Sequence, residues 1–472
     1  MVFNSIEYVI FLPVVVLLFY LLPQRARWFM LLTASCVFYM WFVPKYILIL
    51  LVTIVIDYLA GILMERNAER LRRKKTFMII SIVSTLTVLF VFKYLGFVTE
   101  NLTRLCAALG VETNLAVNII LPIGLSFHTF QSMSYVIEVY RGNQKAERHF
   151  GYYSLYVMFF PQLVTGPIER PGNLLRQLHE EKRFDYDNIS KGMRLILFGL
   201  FIKMVVADNL GLTVERIYDE PSTYNSWSVM LGAVFYSFQI YCDFFGYSTI
   251  ALGSAKLMGF DISDNFRSPY LSCSIAEFWH RWHISLSTWF RDYVYIPLGG
   301  SRVKFSRWAF NILVVFVLSG IWHGAAWTFL FWGFAHGLLH IVEKVLKKNV
   351  KMLEPQTKVG RWSVDLFNMA KTFILVTLFW VMFRSSDFAQ MKEIFVAMFS
   401  NFDVERHVTV DWQSYLYLGL FILSDIVLRN TRFDHWCDDK PLVQRWLIYA
   451  VLIFMIVACS RVENVPFIYF QF

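Results

Sequence analysis

Charge is what this sequence lacks. Asp, Glu, Lys and Arg together make up 17% of its 472 residues, against roughly 25% in an ordinary soluble domain. That supply cannot cover a water-facing surface, and a hydrophobic content of 57% with 18% aromatics points the same way. Acidic residues are the scarcer sign, leaving a formal net charge of +9. The cations are confined to short loops between apolar blocks, where they orient helices rather than bind nucleic acid. Cysteine is sparse too. Cys36, Cys106, Cys242, Cys273, Cys437 and Cys459 show no paired spacing, and several fall inside apolar blocks, so they read as core thiols rather than disulfides or a metal site. The opening stretch MVFNSIEYVIFLPVVVLLFYLLPQRAR has no basic n-region and no small-residue cleavage site, so it is expected to be a retained first span. No internal repeat is visible, which argues against an inverted-repeat transporter.

What the sequence has is apolar blocks near the length of a bilayer crossing. They are expected at about 6–22, 29–43, 46–64, 77–98, 116–137, 191–213, 227–250, 308–322, 325–342, 363–384, 413–428 and 446–460. The fold class is therefore all-α and polytopic. ERNAERLRRKK (65–75) is the most basic loop and belongs in the cytoplasm. Counting from it puts RGNQKAER, the 251–306 stretch, KKNVKMLEPQTKVGR and RNTRFDHWCDDKPLVQR inside. It puts the acidic-leaning YDEPSTYNS and FDVERHVTVD outside, and both termini extracytoplasmic.

Two regions depart from simple spans. YYSLYVMFFPQLVTGPIERPG (152–172) is apolar, then dense in Pro and Gly, and reads as re-entrant or interfacial; irregular backbone at that depth needs protein or a watery cavity around it. AEFWHRWHISLSTWFRDYVYIPLGGSR (276–302) is too charged to span and reads as amphipathic helix in or under the membrane face.

Ionisable groups in a bilayer are costly, so the polar residues amid apolar runs carry the chemistry. His323, in LSGIWHGAAWTFLF, has Gly320, Gly324, Ala325 and Ala326 beside it, leaving space next to an imidazole suited to proton transfer. The alternative is a core histidine bonded to a backbone carbonyl. His336 and His340 lie i, i+4, as a metal pair could, but without acidic or cysteine companions helix packing is the better reading. His280 and His283, three apart in HRWH, would share a helical face. With Arg281, Arg291 and Arg302 around them they suit a charged, cytoplasm-side ligand better than zinc. Asp243 sits among aromatics and should accept a hydrogen bond, from Tyr247 or a histidine. His128 and Gln131 fall in a Pro/Gly-interrupted span of the kind that lines cavities.

At these residues the chain resembles the membrane-bound O-acyltransferases, in the bacterial branch typified by the alginate O-acetyltransferase membrane subunit. The resemblance is carried by LPIGLSFHTFQSMSYVIEVYRG, FFPQLVTGPIERP, QIYCDFFGYSTIALGSAKLMGF, NFRSPYLSCSIAEFWHRWHISLSTWFRDYVYIPLGGSR and GIWHGAAWTFLFWGFAHG, in that order from about 121 to 337. One departure is His128, where this branch carries Tyr. The resemblance implies that His323 is the catalytic histidine and His283 the second characteristic polar position. It also implies a ring of tilted helices around a funnel, an acyl thioester entering from the cytoplasm, and an acceptor arriving from the other side. It divides the chain into N-terminal membrane helices (1–115), a catalytic core (116–345), C-terminal membrane helices (346–460) and an aromatic tail (461–472).

That tail, VPFIYFQF, resembles the aromatic C-terminal motif of the small membrane peptide that works with the teichoic-acid D-alanylating acyltransferase, where a terminal tyrosine is thought to carry the acyl group. Tyr469 is the corresponding candidate carrier; the alternative is an interfacial anchor or plug. The expected activity is O-acetylation of an extracellular or periplasmic polysaccharide from acetyl-CoA or another acyl thioester. No bound cofactor or metal is expected. The site is the bacterial cytoplasmic membrane, the partners an extracytoplasmic acetyltransferase- or esterase-like protein and membrane lipids. D-alanyl transfer toward teichoic acid and polytopic transport are the alternatives.

Overall fold

A computed structural model describes residues 1–117, 119–164, 166–349, 357–461 and 467–470. Among the described residues every regular element is a helix. Eight helices among the described residues are long and apolar enough to cross a membrane: Pro44–Arg66, Leu71–Ala108, Tyr186–Asp219, Ser226–Leu257, Phe305–His323, Trp327–Asn349, Lys358–Arg384 and Leu442–Cys459. Ile6–Leu21, Gln24–Met40, Leu125–Arg141 and Trp412–Val427 cover the other predicted spans. The chain is thus a multi-pass membrane protein. Its exposed Ile, Val, Leu and Phe side chains, such as Val457, Phe454 and Ile374, are the surface that lipid requires.

The 116–137 prediction is corrected at its start. Residues 111–117 and 119–124 are not helical, and the helix begins only at Leu125, after Gly124 at φ +77°. Pro122 and this left-handed glycine stop the apolar run from propagating as helix.

The described contacts divide the chain into two compact units, 1–196 with 250–263, and 197–249 with 264–472. In the first, Asp57 is buried and accepts from the hydroxyls of Ser81 and Thr85. Thr53 meets His128 Nε2 at 3.3 Å, and the Gln131 amide donates to the Tyr156 carbonyl. Gln131 therefore supports the buried bend around 156–162, where Gln162 donates to the same carbonyl at 2.7 Å.

In the second unit, Phe305–His323 and Trp327–Asn349 form a hairpin with two glycines at its crossing. A Cβ on Gly320 would lie 2.3 Å from the Phe329 carbonyl oxygen, and one on Gly333 would lie 2.3 Å from that of Phe316. Small residues at a membrane-helix crossing let backbones approach, which is where the packing energy comes from. Gly324 likewise admits the Phe329 ring, whose Cε2 would be 2.1 Å from a Cβ there. The small residues before and after His323 thus make room for a helix and a phenyl ring, not for an open space beside the imidazole as the sequence suggests.

Gly333→Ala is expected to destabilise the protein by about 1–3 kcal/mol through overpacking against backbone. Gly419→Ala, in a helix where nothing approaches within 4 Å, should be neutral or stabilising by up to about 1 kcal/mol. Thermal unfolding of both variants in detergent checks the contrast.

Candidate active site

The predicted helical face shared by His280 and His283 does not form. Ser274 caps the Ile275–Arg281 helix, accepting from the Glu277 amide at 3.1 Å, while the Glu277 carboxylate accepts from the Cys273 amide at 2.9 Å. The helix stops at Arg281. Trp282 is extended and His283 is left-handed, at φ +43°, before helix resumes over Ile284–Phe290. A non-glycine residue held there costs on the order of 1–3 kcal/mol unless its surroundings fix it. The 265–267 segment does so: the Arg267 amide donates to the Arg281 carbonyl at 3.0 Å, and the Ile284 amide to the Asn265 carbonyl at 2.9 Å.

The break separates the two histidines. His280 stays at the surface, with Nδ1 at 2.6 Å from the Ala276 carbonyl. His283 is 0% exposed. Burial lowers its imidazole to about 3, so it is neutral at cellular pH and acts as a hydrogen-bonding group rather than a cation. The predicted arginine surround is corrected as well. Arg281 pairs with Glu277 at 2.9 Å, and Arg291 pairs with Asp292 at 2.8 Å with 58% of its side chain exposed. Both are fastened toward the surface while His283 is sealed inside. His336 accepts from Trp279 Nε1 at 3.3 Å and packs on Phe379 and Trp332. His340 packs, tilted, beside Trp308 and Phe316 at 5.9 and 6.1 Å. These two are packing residues.

His323 is the last residue of its helix and is 3% exposed. Rings enclose it: Trp322, Trp332 and Phe383 have centroids 5.0, 5.2 and 5.2 Å away, and His283 lies at 6.4 Å. One further ring is Tyr469, at 5.7 Å. The tail residues that are described, 467–470, enter this site. Phe467 packs on Tyr247 and Phe244 at 4.7 and 5.7 Å. Tyr469 packs on Phe244 at 4.7 Å and stacks with Phe467 at 5.4 Å. The Tyr469 hydroxyl is buried, and burial pushes its phenol well above the usual value near 10. Pro466, Gln471 and Phe472, also part of the tail motif, lie outside the described residues.

Asp243 ties this tail to the helices. Its Oδ2 accepts from the Ile468 backbone amide at 2.7 Å, and its Oδ1 meets Lys203 Nζ at 2.6 Å. The sequence points to Tyr247 or a histidine as its partner; the structure provides a lysine and a backbone amide. Tyr247 lies under the same ammonium, 5.6 Å from ring centroid to Nζ. Lys203 also meets Asp208 Oδ1 at 2.6 Å. Lys203 sits in a π-helical stretch, Phe201–Ala207, and Asp208 follows it directly; the extra residue per turn changes which side chains point inward, and such bulges are frequent at functional sites. Sequence reasoning missed Lys203 and Asp208. The available signal was GLFIKMVVADNLG, a lysine and an aspartate of opposite charge inside one apolar run.

Residues 148–386 match the membrane-bound O-acyltransferase family. The chain belongs to that family. It is similar to the probable alginate O-acetylase of Azotobacter vinelandii, 37% identical over 85% of this chain and 78% of the relative. It is similar to the peptidoglycan O-acetyltransferase of Helicobacter pylori, 31% identical over 82% and 77%. With the teichoic acid D-alanyltransferase of Bacillus subtilis it shares 30% identity over 47% of this chain and 58% of that protein. The protein is an O-acyltransferase, and membership in this family sets the transporter alternative aside. The tail at Tyr469 lies beyond the family match, and the position of its ring beside His323 is a property read from this structure.

Lys203 neutralises buried carboxylates on two helices. Lys203→Met should destabilise the protein by about 3–5 kcal/mol by leaving both uncompensated. The triple variant with Asp208→Asn and Asp243→Asn should recover most of that loss. Denaturant titration in mixed micelles measures both.

Proposed function

We propose that this O-acyltransferase takes an acetyl group from a thioester donor on the cytoplasmic side and delivers it to hydroxyls of a cell-envelope polysaccharide, with Tyr469 as intermediate carrier. Acetyl-CoA is the donor this reading favours. Its phosphates keep it from crossing a bilayer and a polymer outside cannot enter, so the neutral acetyl group is the one part able to pass. The names of the relatives support acetyl over D-alanyl: those aligned over most of their length act on alginate and peptidoglycan, whereas the D-alanyltransferase aligns over about half.

The observation that carries the proposal is the Tyr469 ring, 5.7 Å from that of His323. The phenol is neutral in this dry setting, so it needs a base when it attacks. In the first half-reaction the His323 imidazole accepts the phenolic proton as the Tyr469 oxygen bonds to the thioester carbonyl carbon. The C–S bond breaks, and the proton passes from the imidazolium to the leaving thiolate. In the second, an acceptor hydroxyl attacks the phenyl ester, and its proton returns the phenol. Holding phenol and base together supplies proximity. In water the phenol regains a pKa of about 10, far below that of a sugar hydroxyl, so onward transfer is downhill. His283, neutral and buried within the same ring shell, would orient His323 or the carbonyl. The cytoplasmic membrane, N- and C-termini on the outer face, and an extracytoplasmic esterase-like partner complete the proposal; the aromatic shell that closes over His323 would have to part for donor and acceptor to reach it.

His323→Ala should lower acetyl transfer by about 10²–10⁴-fold with normal expression and membrane insertion, measured with labelled acetyl-CoA in membranes. Tyr469→Phe keeps the packing and removes one oxygen. Polysaccharide acetylation should fall to background, and mass spectrometry should find a 42 Da adduct (roughly the mass of an acetyl group replacing hydrogen) on the wild-type tail peptide alone. Undiminished acetylation in Tyr469→Phe refutes the carrier.

A further inference from the structure

Asp243 is a buried carboxylate with no step in the proposed acyl transfer. Lys203 already meets Asp208 at 2.6 Å, and Arg461, bonded to the neighbouring Asn209, adds a second positive charge near that carboxylate. Lys203 and Asp243 have side-chain exposures of 1% and 2%, and a carboxylate this deep needs partners for both oxygens. Oδ1 of Asp243 is taken by Lys203, and Oδ2 receives the backbone N–H of Ile468 at 2.7 Å.

An amide donating to an ionised acceptor makes a stronger bond than a neutral pair. This one falls one residue before Tyr469, at the first residue of the short Ile468–Phe470 turn. The residues on either side are seated by rings: Phe467 on Tyr247 and Phe244, Tyr469 on Phe244 and Phe383. Ring contacts are non-directional and tolerate sliding, whereas a hydrogen bond to a fixed carboxylate sets the register along the chain. A slip of one residue would put Ile468 or Phe470 where the phenol belongs.

We propose that Asp243 is a positioning residue that clamps the Ile468 amide and so holds the Tyr469 phenol at His323, while Lys203, itself paired with Asp208, keeps Asp243 aimed. The clamp rests on the reading of Tyr469 as acyl carrier. It is also reversible: one backbone hydrogen bond and a set of ring contacts hold the tail, so a carrier that must meet a second substrate can leave without breaking a buried ion pair.

The test uses the full-length protein in detergent with radiolabelled acetyl-CoA, reading the initial rate of acetyl appearance on the tail peptide against donor concentration. Asp243→Ala leaves Lys203 paired with Asp208, so charge balance is kept. Ile468→Pro removes the amide proton without touching Asp243, at a turn start where proline is tolerated; Ile468→Val controls for the side chain. Asp243→Ala and Ile468→Pro should each lower the maximal rate about ten- to a hundredfold, with half-saturating donor within about twofold of wild type. The double variant should be no slower than either single. Asp243→Asn, whose amide oxygen can still accept the N–H, should keep most of the rate. A wild-type rate in Asp243→Ala, or additive losses in the double variant, overturns the clamp. A second readout does not depend on acylation. Ile468→Cys, followed at the tail peptide by mass spectrometry, should react slowly with N-ethylmaleimide when Asp243 is present and quickly in Asp243→Ala. If the wild-type tail never carries acetyl, the carrier reading fails by itself, and equal labelling in the two backgrounds is then the result that rejects the clamp.

Discussion

Away from water, a backbone amide or carbonyl released from a helix must find another partner, at a cost of several kcal/mol if it does not. Four groups of this site, His283, His323, Lys203 and Tyr469, lie where a helix stops, changes winding or gives way to the tail, whereas Asp243 and Tyr247 project from the continuous Ser226–Leu257 helix. His283 is the left-handed residue between two short helices. His323 ends its helix, with Gly324 extended after it. Lys203 lies in a π-helical stretch, and Tyr469 lies in the tail. A continuous helix offers side chains on its flank only, because its backbone groups are spent on each other. Breaking it lets a side chain point along the axis or a backbone group reach out, provided that the surroundings supply the missing bonds. Here they do: segment 265–267 bonds both sides of the His283 break, and Asp243 receives the tail amide.

That constraint explains what the sequence discloses and what it hides. The helices were legible because apolar runs of bilayer length have one stable outcome. His323 and His283 stand out in the sequence as polar residues amid apolar or aromatic neighbours, and the structure places their rings 6.4 Å apart. The relation of His280 to His283 was not, because i, i+3 spacing assumes an unbroken helix, and nothing in HRWH reveals that Asn265 and Arg267 will hold Trp282 and His283 out of it. The glycines around His323 misled for a related reason. A missing Cβ signals close approach, but the sequence does not say by what, and here the visitors are the Phe329 ring at Gly324 and the Phe329 backbone at Gly320. Lys203 escaped notice because its partners are separated from it by a winding change on one side and by a different helix on the other.

Charge and dryness then divide the labour. The ionised groups are gathered on the Lys203 side, where each carboxylate has a specific donor. The imidazoles are surrounded by rings. His283 within that dry shell is neutral at rest, because burial disfavours the imidazolium.

The ring shell also bears on the competition an acyltransferase must win. Water is the most abundant acceptor in a cell, and a base beside a thioester would hand the acyl group to it as readily as to any other hydroxyl. Selectivity therefore depends on which oxygen can reach the base. The rings of Trp322, Trp332, Phe383 and Tyr469 lie around His323, which keeps 3% of its surface exposed. In the proposed carrier reading, a tethered phenol with its own aromatic escort would bring an acceptor oxygen into the site without opening it to solvent. A free sugar carries a hydration shell that would have to be stripped at the same place. On this argument the aromatic neighbours of Tyr469 are as much a part of the chemistry as its hydroxyl, since they let one oxygen in while excluding the bulk supply.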